Sequence, residues 1–84
     1  MIRKYLIKFN YKKEFEVINK EDFMKCLTRY RNENKNKYFV DVKEDFKFGL
    51  IHQDWIFKPV VLRVICDEYD DLFEFVQGDN KYDK

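Results

Sequence analysis

Residues 5–17 alternate between apolar and polar side chains with a period of two, which is typical of half-buried β-strands. The apolar positions form two runs, first Tyr5, Ile7, Phe9 and Tyr11, then Phe15 and Val17. Polar residues separate the two runs, so the pattern predicts an N-terminal hairpin with its turn near residues 10–13.

A helical period replaces this alternation after Asn19. The next apolar residues recur at i, i+3, i+4 and i+7, and they are Phe23, Cys26, Leu27 and Tyr30. Asn19 is a favourable N-cap, and Glu21 and Asp22 suit the positive end of a helix dipole. The polar residues 32–37 then stop the pattern. We therefore predict one amphipathic helix between Asn19 and this polar segment.

The alternation returns in the second half of the chain. Tyr38, Val40 and Val42 predict a third strand. A fourth strand is predicted from Phe46, Phe48 and Leu50, with Glu44 and Asp45 as the turn before it. The apolar segment 55–57 is short and fits either a strand or a corner.

Residues 59–77 admit two interpretations. Val60–Cys66 is β-branched at four of its seven positions, which favours a buried strand. Helical spacing follows at Tyr69, Leu72, Phe73 and Val76, with Asp67 as a candidate N-cap and Gly78 at the C-terminal end. Because proline suits a first helical turn, the alternative is one helix over residues 59–77. We favour the strand followed by a C-terminal helix, and we expect residues 79–84 to fray.

These elements predict one α+β domain over residues 1–78, with a small mixed or antiparallel sheet and a helix packed on it. Over residues 1–66 the order of hairpin, helix and further strands resembles the β-grasp arrangement of ubiquitin-like domains. The chain ends in residues 79–84 without a terminal pair of glycines, so the resemblance does not imply conjugation.

Aromatic residues supply material for the core of this domain, since the chain contains 9 Phe, 6 Tyr and 1 Trp. Charge is distributed unevenly. Residues 1–37 hold 11 Lys/Arg and 5 Asp/Glu, a net charge of +6, whereas residues 38–84 hold 6 and 11, a net charge of −5. Such asymmetry favours association with charged partners. No secretory signal or membrane-spanning segment is visible, so we expect a cytoplasmic protein without a membrane partner.

Candidate catalytic chemistry is sparse. His52, Cys26 and Cys66 are the conventional nucleophile, base or soft-metal ligands besides the acids. They lack the paired spacing of a zinc site and any nucleophile motif, and both cysteines fit core positions. We therefore expect no enzymatic activity, no metal and no cofactor.

The leading functional hypothesis is a protein–protein interaction module. On the predicted C-terminal helix four acids share one flank, namely Asp67, Asp70, Asp71 and Glu74. That flank could dock on a basic groove of a partner protein, with Trp55 as an aromatic anchor. The alternatives are a solvated helix face and a core tryptophan. Because Lys, Asn, Phe, Tyr and Ile are abundant, an AT-rich coding sequence from a virus or mobile element, and a role as regulator or inhibitor, fit this hypothesis.

A second hypothesis uses the basic half of the chain. It makes the protein a nucleic-acid-binding accessory, with a surface formed by Lys8, Lys12, Lys13, Lys25 and Arg29. Self-association is the third possibility, because opposite charges on neighbouring copies could pair.

Overall fold

The computed structural model describes residues 3–35 and 37–73. In chain order its elements are β1 (Arg3–Phe9), β2 (Glu16–Ile18), α1 (Lys20–Asn34), β3 (Phe39–Asp45), β4 (Leu50–Ile56) and β5 (Val60–Cys66). A single turn of 3-10 helix, Tyr69–Asp71, follows β5. The predicted α+β class is confirmed.

The five strands form one sheet in the order β2-β1-β5-β4-β3, and every neighbouring pair is antiparallel. The predicted N-terminal hairpin is β1 with β2. After α1 the chain enters the sheet at the far edge with β3 and returns through β4 to β5, which pairs with β1. The β-grasp-like arrangement is not confirmed, because three consecutive strands form an antiparallel meander in the described residues.

The helix packs on one face of this sheet, and the core lies between them. Its buried side chains are Tyr5, Ile7, Phe23, Leu27, Trp55, Phe57, Val60, Leu62 and Val64. Burial of this apolar surface is the main favourable contribution to folding. Alternate residues point to the opposite face, which we call the open face, because no helix among residues 3–35 and 37–73 covers it.

Helix α1 confirms the prediction made from its cap and its apolar spacing. The Asn19 side chain accepts a hydrogen bond from the Asp22 backbone N–H at 2.7 Å. Phe23 and Leu27 are buried, and Cys26 and Tyr30 pack against the core.

The predicted fourth strand is wrong, because Phe46 and Phe48 lie in the turn between β3 and β4. The Asp45 carboxylate accepts hydrogen bonds from the backbone N–H groups of Lys47 and Phe48, at 3.1 and 3.4 Å. Gly49 closes the turn with φ at +69°, a left-handed conformation that glycine adopts without steric cost. Strand β4 begins only at Leu50, so Trp55 lies within a strand.

The structure after Pro59 decides in part between the two interpretations of residues 59–77, a strand followed by a helix or one continuous helix. Strand β5 confirms the predicted strand over Val60–Cys66, and the single helix over residues 59–77 is wrong. The C-terminal helix is not confirmed, since Tyr69–Asp71 forms one 3-10 turn and Leu72 is extended at φ −80° and ψ 157°. Residues 74–78 of that helix and the tail 79–84 lie outside the described residues.

Gln53 holds the chain in this extended conformation. Its buried side chain donates from Nε2 to the Phe73 carbonyl at 2.7 Å and accepts from the Phe73 N–H at 3.1 Å. The Phe73 ring stacks on Phe23, with the ring centroids 5.5 Å apart. These tertiary contacts override the helical spacing of Tyr69, Leu72 and Phe73.

We predict that Gln53→Leu lowers the free energy of unfolding by about 1–3 kcal/mol, because it removes both hydrogen bonds to the Phe73 backbone. Urea titration measures this loss. Hydrogen exchange of the Phe73 amide should accelerate more than that of β5 amides. His52→Leu is the matched control, since His52 lies on the open face. Equal protection of Phe73 in wild type and Gln53→Leu would contradict this role for Gln53.

Candidate functional site

The described acidic residues that follow β5, Asp67 to Asp71, do not form a helical row. Asp71 turns toward the body of the protein, where its carboxylate lies 2.8 Å from the Arg3 guanidinium. Hydrogen bonds to Tyr5 and to Asp71 raise the pKa of Arg3. Asp70 is exposed, Asp67 is half-buried, and Glu74 lies outside the described residues. Asp71 therefore stabilises the fold locally and is not available to a partner as a free carboxylate.

The structure instead brings two acidic segments together at one end of the sheet. The register sets Ile51 opposite Cys66, so the start of β4 lies beside the end of β5. A shallow groove of about 260 Å³ runs between the β3–β4 turn and the segment after β5. Its lining includes Glu44, Asp45, Phe46, Asp67, Glu68 and Tyr69.

Exposed aromatic rings accompany these acids. Phe46 is 85% exposed, Phe48 67% and Tyr69 54%. The Lys47 ammonium lies 5.4 Å from the centroid of the Phe48 ring, so the one lysine of the turn is associated with an aromatic face. We call this surface the acidic–aromatic end, and it consists of Glu44, Asp45, Phe46, Lys47, Phe48, Asp67, Glu68, Tyr69 and Asp70.

Sequence reasoning missed the aromatic part of this surface. The spacing of Phe46, Phe48 and Leu50 has the period of a strand and predicts one. The available signal was the turn chemistry of Asp45 followed four residues later by Gly49. An aspartate that can accept from the next backbone N–H groups, with a glycine at the left-handed position, predicts a turn whose side chains are exposed.

Trp55 is fully buried and therefore cannot be the aromatic anchor on the surface. Its ring packs against Tyr38 with centroids 6.1 Å apart, and the Arg31 guanidinium lies 5.5 Å from its ring centroid. Trp55 is the next-to-last residue of β4 and lies on the helix side, so it is a core residue.

The candidate nucleic-acid ligands lie on two different sides of the protein. Tyr5 and Ile7 face the helix, so Lys8 points to the open face, and Lys12 and Lys13 lie in the loop that follows β1. Lys25 and Arg29 lie on the exposed surface of α1, on the other side of the sheet. Arg29 also pairs with Glu33 at 3.1 Å, and Lys12 with Glu16 at 3.8 Å. The structure does not join these five residues into one basic surface.

The cysteines and the histidine are also separated. Cys66 is buried on the helix side of β5, whereas His52 projects to the open face from β4, and Cys26 lies on α1. Burial raises the pKa of the Cys66 thiol, which donates a hydrogen bond to the Glu68 carbonyl at 3.1 Å. Within residues 3–35 and 37–73, no three His, Cys, Asp or Glu side chains form a group that could hold a metal ion.

We predict that a thiol reagent at pH 8 modifies half-buried Cys26 well before buried Cys66. The raised pKa of Cys66 keeps its thiolate fraction small, and its reaction waits for local opening of the structure. Mass spectrometry of Cys26→Ser and Cys66→Ser variants measures each rate separately. In denaturant the two rates should converge. Equal rates in the native protein would contradict this assignment.

Comparison with known proteins finds no matching protein-family model, no matching curated protein and no matching solved structure. No helix in the described part of the chain is long and apolar enough to cross a membrane.

Proposed function

We propose that the protein is a protein-binding module that docks its acidic–aromatic end on a basic surface of another protein. The observation that carries the proposal is the exposure of Phe46, Phe48 and Tyr69 beside Glu44, Asp45, Asp67, Glu68 and Asp70. Regulation or inhibition of that partner, and an origin in a virus or mobile element, stay predictions.

The aromatic rings supply the apolar part of the interaction. Large exposed rings that lie together on a small domain are typical of interaction sites, and aromatic residues are frequent hot spots of protein interfaces. Phe46 and Phe48 are exposed although the same chain buries Phe23 and Phe57 in its core. Covering the two exposed rings with apolar groups of a partner would release their hydration water.

The carboxylates determine which partner fits. Five acids and one lysine belong to this end, so its local charge is negative even though the whole chain has a formal net charge of +1. A basic partner surface would be attracted over about 8–10 Å at physiological salt, which accelerates encounter and selects orientation. The partner chemistry is therefore lysine- or arginine-rich with apolar residues between the charges.

The described contacts hold this end in place before a partner arrives. The Asp45 side chain fixes the turn that carries Phe46 and Phe48. The segment after β5 is fixed by the Arg3–Asp71 ion pair and by the hydrogen bond from Cys66 to Glu68. Because little ordering is needed on binding, more of the interaction energy contributes to affinity.

An NMR titration with a short Lys/Arg-rich peptide containing leucine tests the proposal. We expect chemical-shift changes at residues 44–49 and 67–70. Glu68→Lys with Asp70→Lys should weaken binding about tenfold or more, since attraction becomes repulsion. Phe46→Ser with Phe48→Ser should weaken it similarly, because the apolar anchors are lost. Neither pair touches Asp71, so the Arg3 ion pair remains.

Matched controls separate this surface from general effects of charge or exposure. Glu14→Lys with Glu33→Lys reverses two exposed acids outside the acidic–aromatic end, and Tyr11→Ser removes a ring that is 79% exposed at the hairpin loop. Both should bind the peptide as wild type does. Shifts centred on the hairpin loop or the open face, or equal weakening by the controls, would refute the proposal.

Nucleic-acid binding stays the alternative prediction, and a single-stranded oligonucleotide tests it in the same apparatus. If that alternative holds, affinity falls steeply with salt and is reduced by Lys12→Glu with Lys13→Glu. The separation of the candidate ligands onto two sides of the sheet is the reason that we place it second.

A further inference from the structure

Strand β3 forms one outer edge of the sheet. Seven residues long, it pairs with β4 on its inner side, and no strand within residues 3–35 and 37–73 pairs with its outer side. The opposite edge, β2, has only three residues. An edge strand of this length without proline presents backbone N–H and C=O groups that can pair with another strand.

We propose that β3 pairs antiparallel with β3 of a second copy of this chain, centred on Val42, and joins two five-stranded sheets into one. The proposal does not depend on the proposed function, because its pairing is centred on Val42, and of the acidic–aromatic end only Glu44 and Asp45 lie on β3.

Charge complementarity selects this occupant and this register. With Val42 opposite Val42, Asp41 of each copy lies opposite Lys43 of the other, so the two-fold symmetry produces two cross-strand ion pairs. Oppositely charged residues that face each other across an antiparallel pair are stabilising. Within one chain the Lys43 ammonium already lies 3.7 Å from the Asp41 carboxylate, and the two side chains are 72% and 47% exposed. They can therefore exchange partners without leaving a buried charge.

The neighbouring registers are unfavourable. A shift that keeps the same side chains on each face centres the pair on Asp41 or on Lys43. The first sets Asp41 opposite Asp41. The second sets Lys43 opposite Lys43 and also Asp41 opposite Asp45. Like charges directly opposite each other are destabilising. The sequence of β3 thus matches its own antiparallel copy in the Val42 register better than in either neighbour.

On the helix side this pairing sets Val42 opposite Val42 and Val40 opposite Glu44. Val40 and Val42 point to that side, opposite Trp55 and Gln53 of β4, and both valines are half-buried. In the joined sheet, Val42 contacts Val42 of the second copy at the symmetry axis and loses its remaining exposure to water.

Charge exchange tests the register directly by analytical ultracentrifugation of the full chain. We expect wild type to dimerise with rising concentration. Asp41→Lys alone or Lys43→Asp alone should weaken self-association about tenfold or more, because each puts like charges opposite each other twice. An equimolar mixture of the two variants should form a heterodimer, since the new lysine at position 41 of one faces the new aspartate at position 43 of the other, and the original Lys43 faces the original Asp41.

Circular dichroism checks that each variant is folded. Lys58→Asp is the control for a charge change on an exposed residue that lies between β4 and β5 and outside β3. That control should dimerise as wild type does. The proposal is overturned if wild type stays monomeric to millimolar concentration. It is also overturned if the single variants dimerise like wild type, or if their mixture shows no heterodimer.

Discussion

The antiparallel pairing of β1 with β5 is the constraint on which the rest of the structure depends. It joins the hairpin and helix to the β3–β4–β5 meander through seven residue pairs, from Arg3 with Cys66 to Phe9 with Val60. This register turns Tyr5 and Ile7 toward α1 together with residues of β5, so it creates the core. At one end of the pair Arg3 reaches Asp71, which fixes the segment that carries Glu68 and Tyr69 beside the β3–β4 turn.

Much of this fold follows from local sequence patterns. The alternation in β1 and the β-branched residues of β5 identify strands, and the Asn19 cap with the spacing from Phe23 to Tyr30 identifies the helix. These elements could be predicted because each buries a regular apolar face and is bounded by turn or cap chemistry. Their order in the sheet could not, because the return of β5 to β1 is a long-range pairing without a local signal.

Strand β4 and the acidic–aromatic end escaped prediction for a related reason. His52, Gln53 and Asp54 are consecutive polar residues, yet Gln53 is hydrogen-bonded to the Phe73 backbone and Asp54 pairs with Arg63 of the neighbouring strand at 2.7 Å. Polar residues can occupy a strand interior when such partners satisfy them. The acids of the acidic–aromatic end all come from the second half of the chain. The exposed aromatic residues differ from those predicted. Trp55, the predicted anchor on the surface, is buried, whereas Phe46 and Phe48 are exposed.

The β1–β5 register is tested most directly by nuclear Overhauser effects between backbone protons in solution. The structure predicts cross-strand effects that connect Tyr5 with Val64 and Ile7 with Leu62. Effects between like protons (Hα–Hα or HN–HN) that connect Leu6 with Val64, or an absence of any effects between the two strands, would contradict the account. A shift of one residue would turn Tyr5 and Ile7 away from the helix, and neither the core nor the acidic–aromatic end could then be assembled as described.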